Sequence, residues 1–322
     1  MPIISQPQDY TDEDLYVDLD PLLGVPLYVK CEGVNFAGSV KIKTARSLID
    51  AAERERRLSP DSVLVESSSG NLGVAISMIA ANRGIPFLCV TDPKCNPASI
   101  RLMEAYGATV HIVRDQDPNG GFLGARIAHI KKITATDSRY VWLNQYENPA
   151  NWRIHFHETA RAIRRAFPNL KVLFIGAGTT GTLMGCARYF KDTASGVTVV
   201  AVDAAGSVIF GGPERPRMIP GVGMSIRPPL LDEAVVDDVV RVAEIDAIRM
   251  CRRLAECGFL FGGSTGTVVS GAQHWLKENR TYPHGDAVAI APDLGERYLD
   301  SIYDDAWVAR HFADPPGPVS AL

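Results

Sequence analysis

The chain has 322 residues, of which 46% are hydrophobic and 22% are charged, a composition ordinary for a globular α/β protein of one large domain or two unequal ones. Its formal net charge of -4 gives no reason to expect nucleic acid or a membrane surface as a partner. No apolar stretch is long enough to span a membrane, and residues 1–6 lack the basic and apolar regions of a signal peptide.

Residues 1–20 are polar and acidic, and we expect them to lie over the surface of the protein. From there to residue 143, short apolar runs alternate with segments in which apolar residues recur at helical spacing. The apolar runs predict strands at 26–32, 62–66, 86–91, 108–113 and 141–143. Helices are predicted at 44–52, 75–80, 100–106 and 123–133. This alternation is typical of a parallel sheet with helices on both faces.

The second half of the chain repeats this pattern after a polar loop at 144–149. Strands are predicted at 172–175, 197–202, 239–242 and 287–291. Helices are predicted at 152–167, 183–190, 251–257 and 268–275, and a proline-rich stretch at 215–229 reads as a long ordered loop. The simplest architecture is two parallel-sheet lobes facing a cleft, with ligands bound at the carboxyl ends of the strands.

Residues 176–182, with the sequence Gly-Ala-Gly-Thr-Thr-Gly-Thr, connect a predicted strand to a predicted helix. Such a turn points several backbone N–H groups, and the positive end of a helix dipole, at one spot. The glycines let the backbone approach a ligand, and the threonine hydroxyls add donors. The turn therefore predicts a phosphate site, although an ordinary turn between strand and helix is the alternative. It matches neither the dinucleotide-binding G-x-G-x-x-G pattern nor a lysine-bearing P-loop.

Cysteines and histidines do not form a ligand cluster in the sequence. The six cysteines are scattered without a C-x-x-C pair, which is typical of reduced, mostly buried thiols, so we expect a cytoplasmic protein. His155 and His157 are close together, but no further ligand residues accompany them. We therefore place both on a helix surface and expect no metal site.

Three further loops lie where strands meet helices: 39–41 with a lysine, 68–71 with two serines and an asparagine, and 262–267 with a serine and two threonines. Together with the glycine-rich turn, they offer an amine, a carboxylate-sized anion site, a phosphate site and a neutral hydroxyl. This combination indicates Schiff-base chemistry on a phosphate-bearing cofactor.

Six motifs in these regions resemble the cysteine synthase/cystathionine β-synthase family of fold-type II pyridoxal-phosphate enzymes, and the resemblance extends over about residues 26–300. They are Gly38-Ser39-Val40-Lys41, Ser69-Gly70-Asn71-Leu72-Gly73, Gln145-Tyr146-x-Asn148-Pro149, Gly178-Thr179-Thr180-Gly181-Thr182, Gly262-Gly263-Ser264-Thr265-Gly266 and Pro292-Asp293-x-Gly295-Glu296-Arg297-Tyr298-Leu299. The resemblance implies an α/β fold of the tryptophan synthase β type. Residues 1–38 and 146–322 would form a large lobe that binds the cofactor phosphate, and 39–145 a smaller, mobile lobe. It also implies a homodimer.

The resemblance further implies a role for each matching residue with pyridoxal 5'-phosphate as the cofactor. Lys41 would form the Schiff base, Asn71 would bond the ring hydroxyl, and Ser264 would face the pyridine nitrogen. A hydroxyl there cannot hold that nitrogen protonated as a carboxylate would, which favours β-elimination over transamination. The cofactor phosphate would be held by Gly178, Thr179, Thr180, Gly181 and Thr182. The substrate carboxylate would be held by Ser68, Ser69, Gln145 and the backbone of Leu72.

The segment around Lys41 departs from the family pattern. Phe36 and Ala37 replace the usual Pro-Gly, and Ile42-Lys43 replaces Asp-Arg. A lysine, an isoleucine and a basic residue in sequence are closer to the serine/threonine dehydratase branch of the same fold. These changes affect the expected local geometry around Lys41 but not its assignment as the matching lysine.

A narrower resemblance points to the N-(2-amino-2-carboxyethyl)-L-glutamate synthases, enzymes of the 2,3-diaminopropionate pathway in siderophore and peptide-antibiotic biosynthesis. The matching segments are 92–94, 120–123, 144–146, 202–211 and 262–266. The resemblance implies a transferase that eliminates phosphate from O-phospho-L-serine and adds the amine of L-glutamate. Tyr146 is implied at the substrate, and Arg126 and Arg227 are the candidates for binding the leaving phosphate.

Other functions stay open at this point. Gly178 stands where the narrower group has a serine and the sulfhydrylases have a glycine. The alternative enzyme is therefore a cysteine or S-sulfocysteine synthase that uses O-phosphoserine or O-acetylserine with a sulfur nucleophile. A dehydratase that releases pyruvate is third. A catalytically silent binding module is the alternative from a different class.

Overall fold

The computed structural model describes residues 3–117, 121–193, 196–279 and 285–312, so Gly120 of the narrower resemblance lies outside it. The strands are β1 Tyr16–Asp18, β2 Tyr28–Cys31, β3 Val63–Ser67, β4 Phe87–Thr91, β5 Thr109–Ile112, β6 Tyr140–Trp142, β7 Leu170–Gly176, β8 Thr198–Ala204, β9 Asp238–Val242 and β10 Asp286–Ala291. The α-helices are α1 Asp20–Leu23, α2 Lys41–Arg54, α3 Asn71–Arg83, α4 Pro97–Ala105, α5 Leu123–Thr136, α6 Ala150–His157, α7 Thr159–Ala166, α8 Gly181–Asp192, α9 Glu244–Glu256, α10 Gly263–Glu278 and α11 Asp305–His311.

The strands form two sheets. One has the order β1-β2-β10-β7-β8-β9, and all its neighbours are parallel except β1 and β2. The other has the order β5-β4-β3-β6 and is parallel throughout. This arrangement confirms the predicted α/β fold with two parallel-sheet lobes. All strands of the four-stranded sheet lie within 63–142, while the exact division of the chain into lobes stays a prediction.

Both sheets are covered on two faces, as their uninterrupted apolar strands require. In β7, Val172 and Phe174 pack into one core cluster, while Leu173 and Ile175 pack into the cluster on the opposite face. Cys89 and Val90 of β4 divide between two clusters in the same way. The alternation of side chains along a strand therefore builds a core on each side of each sheet.

Two segments differ from the sequence expectation. Residues 1–20 contain β1, which pairs with β2, and Leu19 is fully buried, so this segment forms the edge of the large sheet rather than only lying over it. The helix predicted over 152–167 is two helices, α6 and α7. Its backbone departs from helical angles at Glu158 (φ -113°, ψ -69°), whose carboxylate binds Arg46.

Five of the cysteines are buried and Cys257 is exposed, and all six are free thiols. In the part of the chain that the structure describes, no helix combines the length and apolar character needed to cross a membrane.

Helix α8 packs closely on α6 at Gly185. A methyl group added there would lie 2.3 Å from the carbonyl oxygen of Trp152 and 2.8 Å from the backbone nitrogen of Phe156. Both atoms belong to the backbone of α6, so neither can move without displacing that helix. Gly185 therefore determines how closely the two helices approach.

We expect Gly185→Ala to lower the free energy of unfolding by about 1–3 kcal/mol, because overpacking outweighs the gain in helix propensity. Gly271→Ala in α10 is the matched control, since its methyl would meet only side-chain atoms of Val202 and Val242, at 2.7 Å or more. Denaturant unfolding of both variants measures the difference. Equal losses would show that the contact with the α6 backbone costs no more than a contact with side chains.

Candidate active site

A cleft of about 850 Å³ opens where loops from the two sheets meet. Residues 214–225, which include most of the proline-rich loop, form one wall. The cleft also brings together most of the predicted site residues: Lys41, Ser68, Ser69, Asn71, Leu72, Arg126, Gln145, Tyr146, Gly178 and Thr179. Thr180, Gly181, Thr182, Ser264 and Arg227 do not line it directly.

Lys41 begins α2 at the cleft. The preceding turn is fixed by the N–H of Val40, which donates to the carbonyl of Pro292 at 2.7 Å, and by Gly38 in a left-handed conformation (φ +66°). The Lys41 side chain is half-buried because it faces the cleft, and protein surrounds it elsewhere. This desolvation lowers the pKa of Lys41 to about 8. A neutral amine is therefore accessible near neutral pH, as a nucleophile or base requires.

Lys43, only two residues further on, is in the opposite situation. Its fully buried Nζ lies 2.7 Å from both Glu13 Oε1 and Glu32 Oε2. Burial alone would lower the pKa of Lys43, but Glu32 and Glu13 outweigh it and raise that pKa. Lys30 is also buried, 3.4 Å from Glu32. The unusual lysine at position 43 is therefore a structural cation with its own carboxylates.

The turn between β7 and α8 has the features of an anion site. Thr180 adopts a left-handed conformation (φ +66°), and its buried hydroxyl has no hydrogen-bond partner among the described residues. A Cβ at Gly178 would lie 2.7 Å from the carbonyl oxygen of Gly221, and one at Gly181 would lie 2.0 Å from Asn151 Oδ1. The surrounding protein therefore leaves no room for a side chain at Gly178 or Gly181. Within the described part of the chain the Thr180 hydroxyl is a free donor, and it fits a phosphate.

His155 lies beneath this turn and is fully buried, which corrects the expectation of a helix surface; His157 is exposed. The Nε2 of His155 is 3.2 Å from Thr44 Oγ1 and 3.3 Å from Thr182 Oγ1, and its Nδ1 is 3.0 Å from Thr159 Oγ1. Burial, together with nearby lysine charges, holds the pKa of His155 well below its usual range. His155 is buried because the close approach of α6 to α8 covers that face of α6. A neutral imidazole therefore links the turn to the core.

The predicted ring-binding residues Asn71 and Ser264 meet at one carboxylate. Asp293 Oδ2 accepts from Asn71 Nδ2 at 2.7 Å and from the Tyr298 hydroxyl at 2.5 Å, and its Oδ1 accepts from Ser264 Oγ at 2.8 Å. Asp293 is 2% exposed. It belongs to a motif quoted above, but no role follows for it from the sequence, because Asn71 and Ser264 are distant along the chain.

The loop after β3 presents the N-terminus of α3 to the cleft. Ser68 Oγ accepts the N–H of Gly73 at 2.9 Å, which caps this helix. Gln145 Nε2 donates to the carbonyl of Ser67 at 2.7 Å, and the Tyr146 hydroxyl lies 3.2 Å from Ser67 Oγ. The two predicted substrate segments are therefore tied to each other, and the helix end is suited to a carboxylate.

The structure separates the two candidate arginines. Arg126 lines the cleft and is only 8% exposed, and its Nε lies 3.4 Å from Asp92 Oδ2. Its buried Nε and Nη1 have no hydrogen-bond partner among the described residues. Arg227 is exposed and pairs with Glu233. Of these two arginines, Arg126 therefore lies at the cleft and has donors without a partner among the described residues.

Comparison with known proteins gives one family. Residues 16–293 match the family described as "Pyridoxal-phosphate dependent enzyme". The chain is 42% identical over 293 residues to an N-(2-amino-2-carboxyethyl)-L-glutamate synthase of Ralstonia nicotianae, covering 90% of this chain and 86% of that one. It is 38% identical to the enzyme of that name from Cupriavidus metallidurans, covering 88% and 84%. The crystal structure of O-ureido-L-serine synthase superposes with a TM-score of 0.85 at 32% identity, covering 96% of this chain and all of that one.

The lowered pKa of Lys41 predicts how apoenzyme binds pyridoxal phosphate. Only the neutral amine attacks the aldehyde, so the rate of Schiff-base formation should rise about tenfold from pH 7 to pH 9 and level off above about pH 8. Absorbance after mixing measures this rate. The exposed Lys94→Ala is the control and should keep the same profile. A rate that still climbs steeply at pH 9 would mean that the Lys41 amine has an ordinary lysine pKa.

Proposed function

The chain belongs to the family of pyridoxal-phosphate dependent enzymes, and we propose that it makes N-(2-amino-2-carboxyethyl)-L-glutamate from O-phospho-L-serine and L-glutamate. The observation that carries the substrate assignment is the buried guanidinium of Arg126 at the cleft, in which Nε and Nη1 have no hydrogen-bond partner among the described residues. The names of two relatives with 42% and 38% identity support the same product.

The residues fit the cofactor. Lys41 would hold it covalently, the turn 178–182 would hold its phosphate, and Asn71 and Ser264 would contact its ring. Bound in this way, pyridoxal phosphate supplies an electron sink for negative charge at the substrate Cα. The desolvated Lys41 amine at the cleft and the unpartnered Thr180 hydroxyl in the turn 178–182 support this fit.

The protein's own groups would bind and deprotonate the substrate. The α-carboxylate would lie at the N-terminus of α3, against Ser68, Ser69 and the N–H of Leu72, with Gln145 beside it. The neutral Lys41 amine, once displaced by the substrate amine, would take the Cα proton and later return it. A base with a pKa near 8 suits this exchange at neutral pH.

Arg126 would receive the leaving phosphate. The Cβ–O bond breaks with its electron pair going to phosphate, and the amine of L-glutamate then forms the new bond to Cβ. A phosphate dianion in a partly desolvated cleft is costly unless it is paired with a cation. Tyr146, buried beside Ser67 at the same cleft, would shape this end of the site.

One observation favours a second candidate. Gly178 leaves no side chain at the turn, where a serine would lie against the carbonyl of Gly221. Because the sulfhydrylases have a glycine at this position and the narrower group a serine, the resemblance at Gly178 favours a cysteine or S-sulfocysteine synthase with a sulfur nucleophile. We also propose a homodimer in the cytoplasm, by analogy with the fold and from the free cysteines.

The function is tested by offering purified holoenzyme O-phospho-L-serine with L-glutamate or with sulfide. We expect mass spectrometry to show the glutamate adduct and phosphate to be released in equal amount. Consumption of sulfide but never of glutamate would favour the second candidate. Pyruvate without any nucleophile would indicate a dehydratase, and a colourless, inert protein would indicate a binding module.

Arg126→Ala should lower kcat/KM for O-phospho-L-serine by about tenfold to a hundredfold, since a charge-assisted hydrogen bond is worth about 1.5–3 kcal/mol. Any reaction with O-acetyl-L-serine should be nearly unchanged, because its leaving group carries less charge. Arg227→Ala removes an exposed arginine paired with Glu233 and is the matched control. Equal loss with both substrates would show that Arg126 supports the fold of the cleft rather than the phosphate.

A further inference from the structure

Asn151 is fully buried beneath the turn 178–182, and its amide fits its neighbours in only one orientation. Its Nδ2 lies 2.7 Å from the carbonyl oxygen of Gln145, which can only accept a hydrogen bond. This nitrogen has a second proton, which it donates to Thr179 Oγ1 at 3.2 Å. The Oδ1 atom then lies 3.3 Å from Thr44 Oγ1 and accepts the proton of that hydroxyl.

The proton of the His155 ring is assigned by the two threonines on either side of it. Thr44 gives its single proton to Asn151, so the oxygen of Thr44 can only accept from His155 Nε2 at 3.2 Å. On the other side, Thr159 Oγ1 accepts from the Lys43 ammonium at 3.3 Å and donates to His155 Nδ1 at 3.0 Å. Both sides therefore place the proton of the neutral ring on Nε2.

The opposite tautomer would leave buried polar groups without partners. With the proton on Nδ1, the ring would donate to Thr159, whose own proton has no other acceptor among the described residues. The bare Nε2 would then face the lone pairs of Thr44, unless Thr44 turned its proton away from Asn151 Oδ1. These four side chains are fully buried, so each lost partner is costly.

The two donors end on threonine hydroxyls of the turn between β7 and α8. Thr179, which lines the cleft, accepts from Asn151 Nδ2, and Thr182 Oγ1 lies 3.3 Å from the protonated Nε2 of His155. Within the described ranges of the chain, neither threonine hydroxyl has an acceptor for its own proton. Both protons are therefore available to an anion, as is that of Thr180.

We infer, on the basis of the proposed phosphate role of this turn, that Asn151 and His155 are positioning residues for the cofactor phosphate. By donating to the hydroxyl oxygens of Thr179 and Thr182, they leave both hydroxyl protons directed to that phosphate. Phosphate oxygens without protons can only accept, so such hydroxyls suit them. The direction of the hydrogen bonds around His155 begins at the Lys43 ammonium, which can only donate.

The tautomer of His155 is tested by ¹⁵N NMR of the holoenzyme labelled in its histidines, with the His155 signals assigned by their absence in His155→Gln. Nε2 should be protonated and Nδ1 unprotonated throughout the neutral pH range. A hydroxyl that donates to phosphate also accepts more strongly, so binding of pyridoxine 5'-phosphate to apoenzyme should shift the Nε2 signal. Thr182→Val should keep the tautomer but abolish this shift. A proton on Nδ1, or an Nε2 signal unaffected by the phosphate, would overturn the inference.

Asn151→Asp tests the contact with Thr179. It keeps the shape of the side chain but replaces the donor with an acceptor, so Thr179 turns its proton away from the phosphate. Pyridoxine 5'-phosphate has no aldehyde to react with Lys41, and it should bind this apoenzyme about tenfold to a hundredfold more weakly than wild type. Thr179→Val removes the same proton and should weaken binding by a similar factor.

The combined variant separates positioning from the introduced charge. In the Thr179→Val background, Asn151→Asp should weaken binding by a factor about tenfold smaller than in wild type, because the charge and the lost bond to Gln145 remain but the hydroxyl is gone. Equal factors in both backgrounds would overturn the inference alone. Undiminished binding by Thr179→Val would overturn the phosphate role of the turn as well. If Asn151→Asp fails to fold, the His155 tautomer still decides, and neither measurement depends on which nucleophile the enzyme uses.

Discussion

The structure depends most on the amine of Lys41, which is desolvated and has no charged partner among the described residues. Among the described residues, no carboxylate pairs with Lys41, whereas Lys43 and Lys30 in the same region have Glu13 and Glu32. Because burial disfavours a charged amine, the pKa of Lys41 falls to about 8. Arg126 and the N-terminus of α3 complement this arrangement at the cleft, since they offer donors and positive charge to anions.

The same contacts hold together loops that come from different sheets. Asp293 follows β10 of the large sheet but binds Asn71, which begins the helix after β3 of the small one. Arg297 reaches both Asn71 and the carbonyl of Ala37. The order of the site therefore depends on how the two sheets are placed, and a change in the cluster around Asp293 affects both Asn71 and Ser264 at once.

The sequence predicts most of the strands and helices because their apolar residues recur at the spacing of buried elements, and it predicts the 176–182 turn because glycines and threonines act locally. The burial of a residue by segments that are distant along the chain cannot be predicted from such local patterns. His155 is buried because α6 and α8 approach at Gly185, although the spacing of Asn151, His155 and Thr159 was an available signal of one helix face. Asp293 binds residues 29 and 222 positions away, so no local pattern shows its role.

Reduction of the holoenzyme with borohydride, followed by peptide mapping, tests the central claim most directly. The cofactor should be fixed to the peptide that contains Lys41, because its amine is desolvated at the cleft and has no carboxylate partner among the described residues. Lys30 and Lys43 should stay unlabelled, because their ammonium groups are buried against carboxylates. Recovery of the label on Lys30, Lys43 or Lys94 would contradict the account.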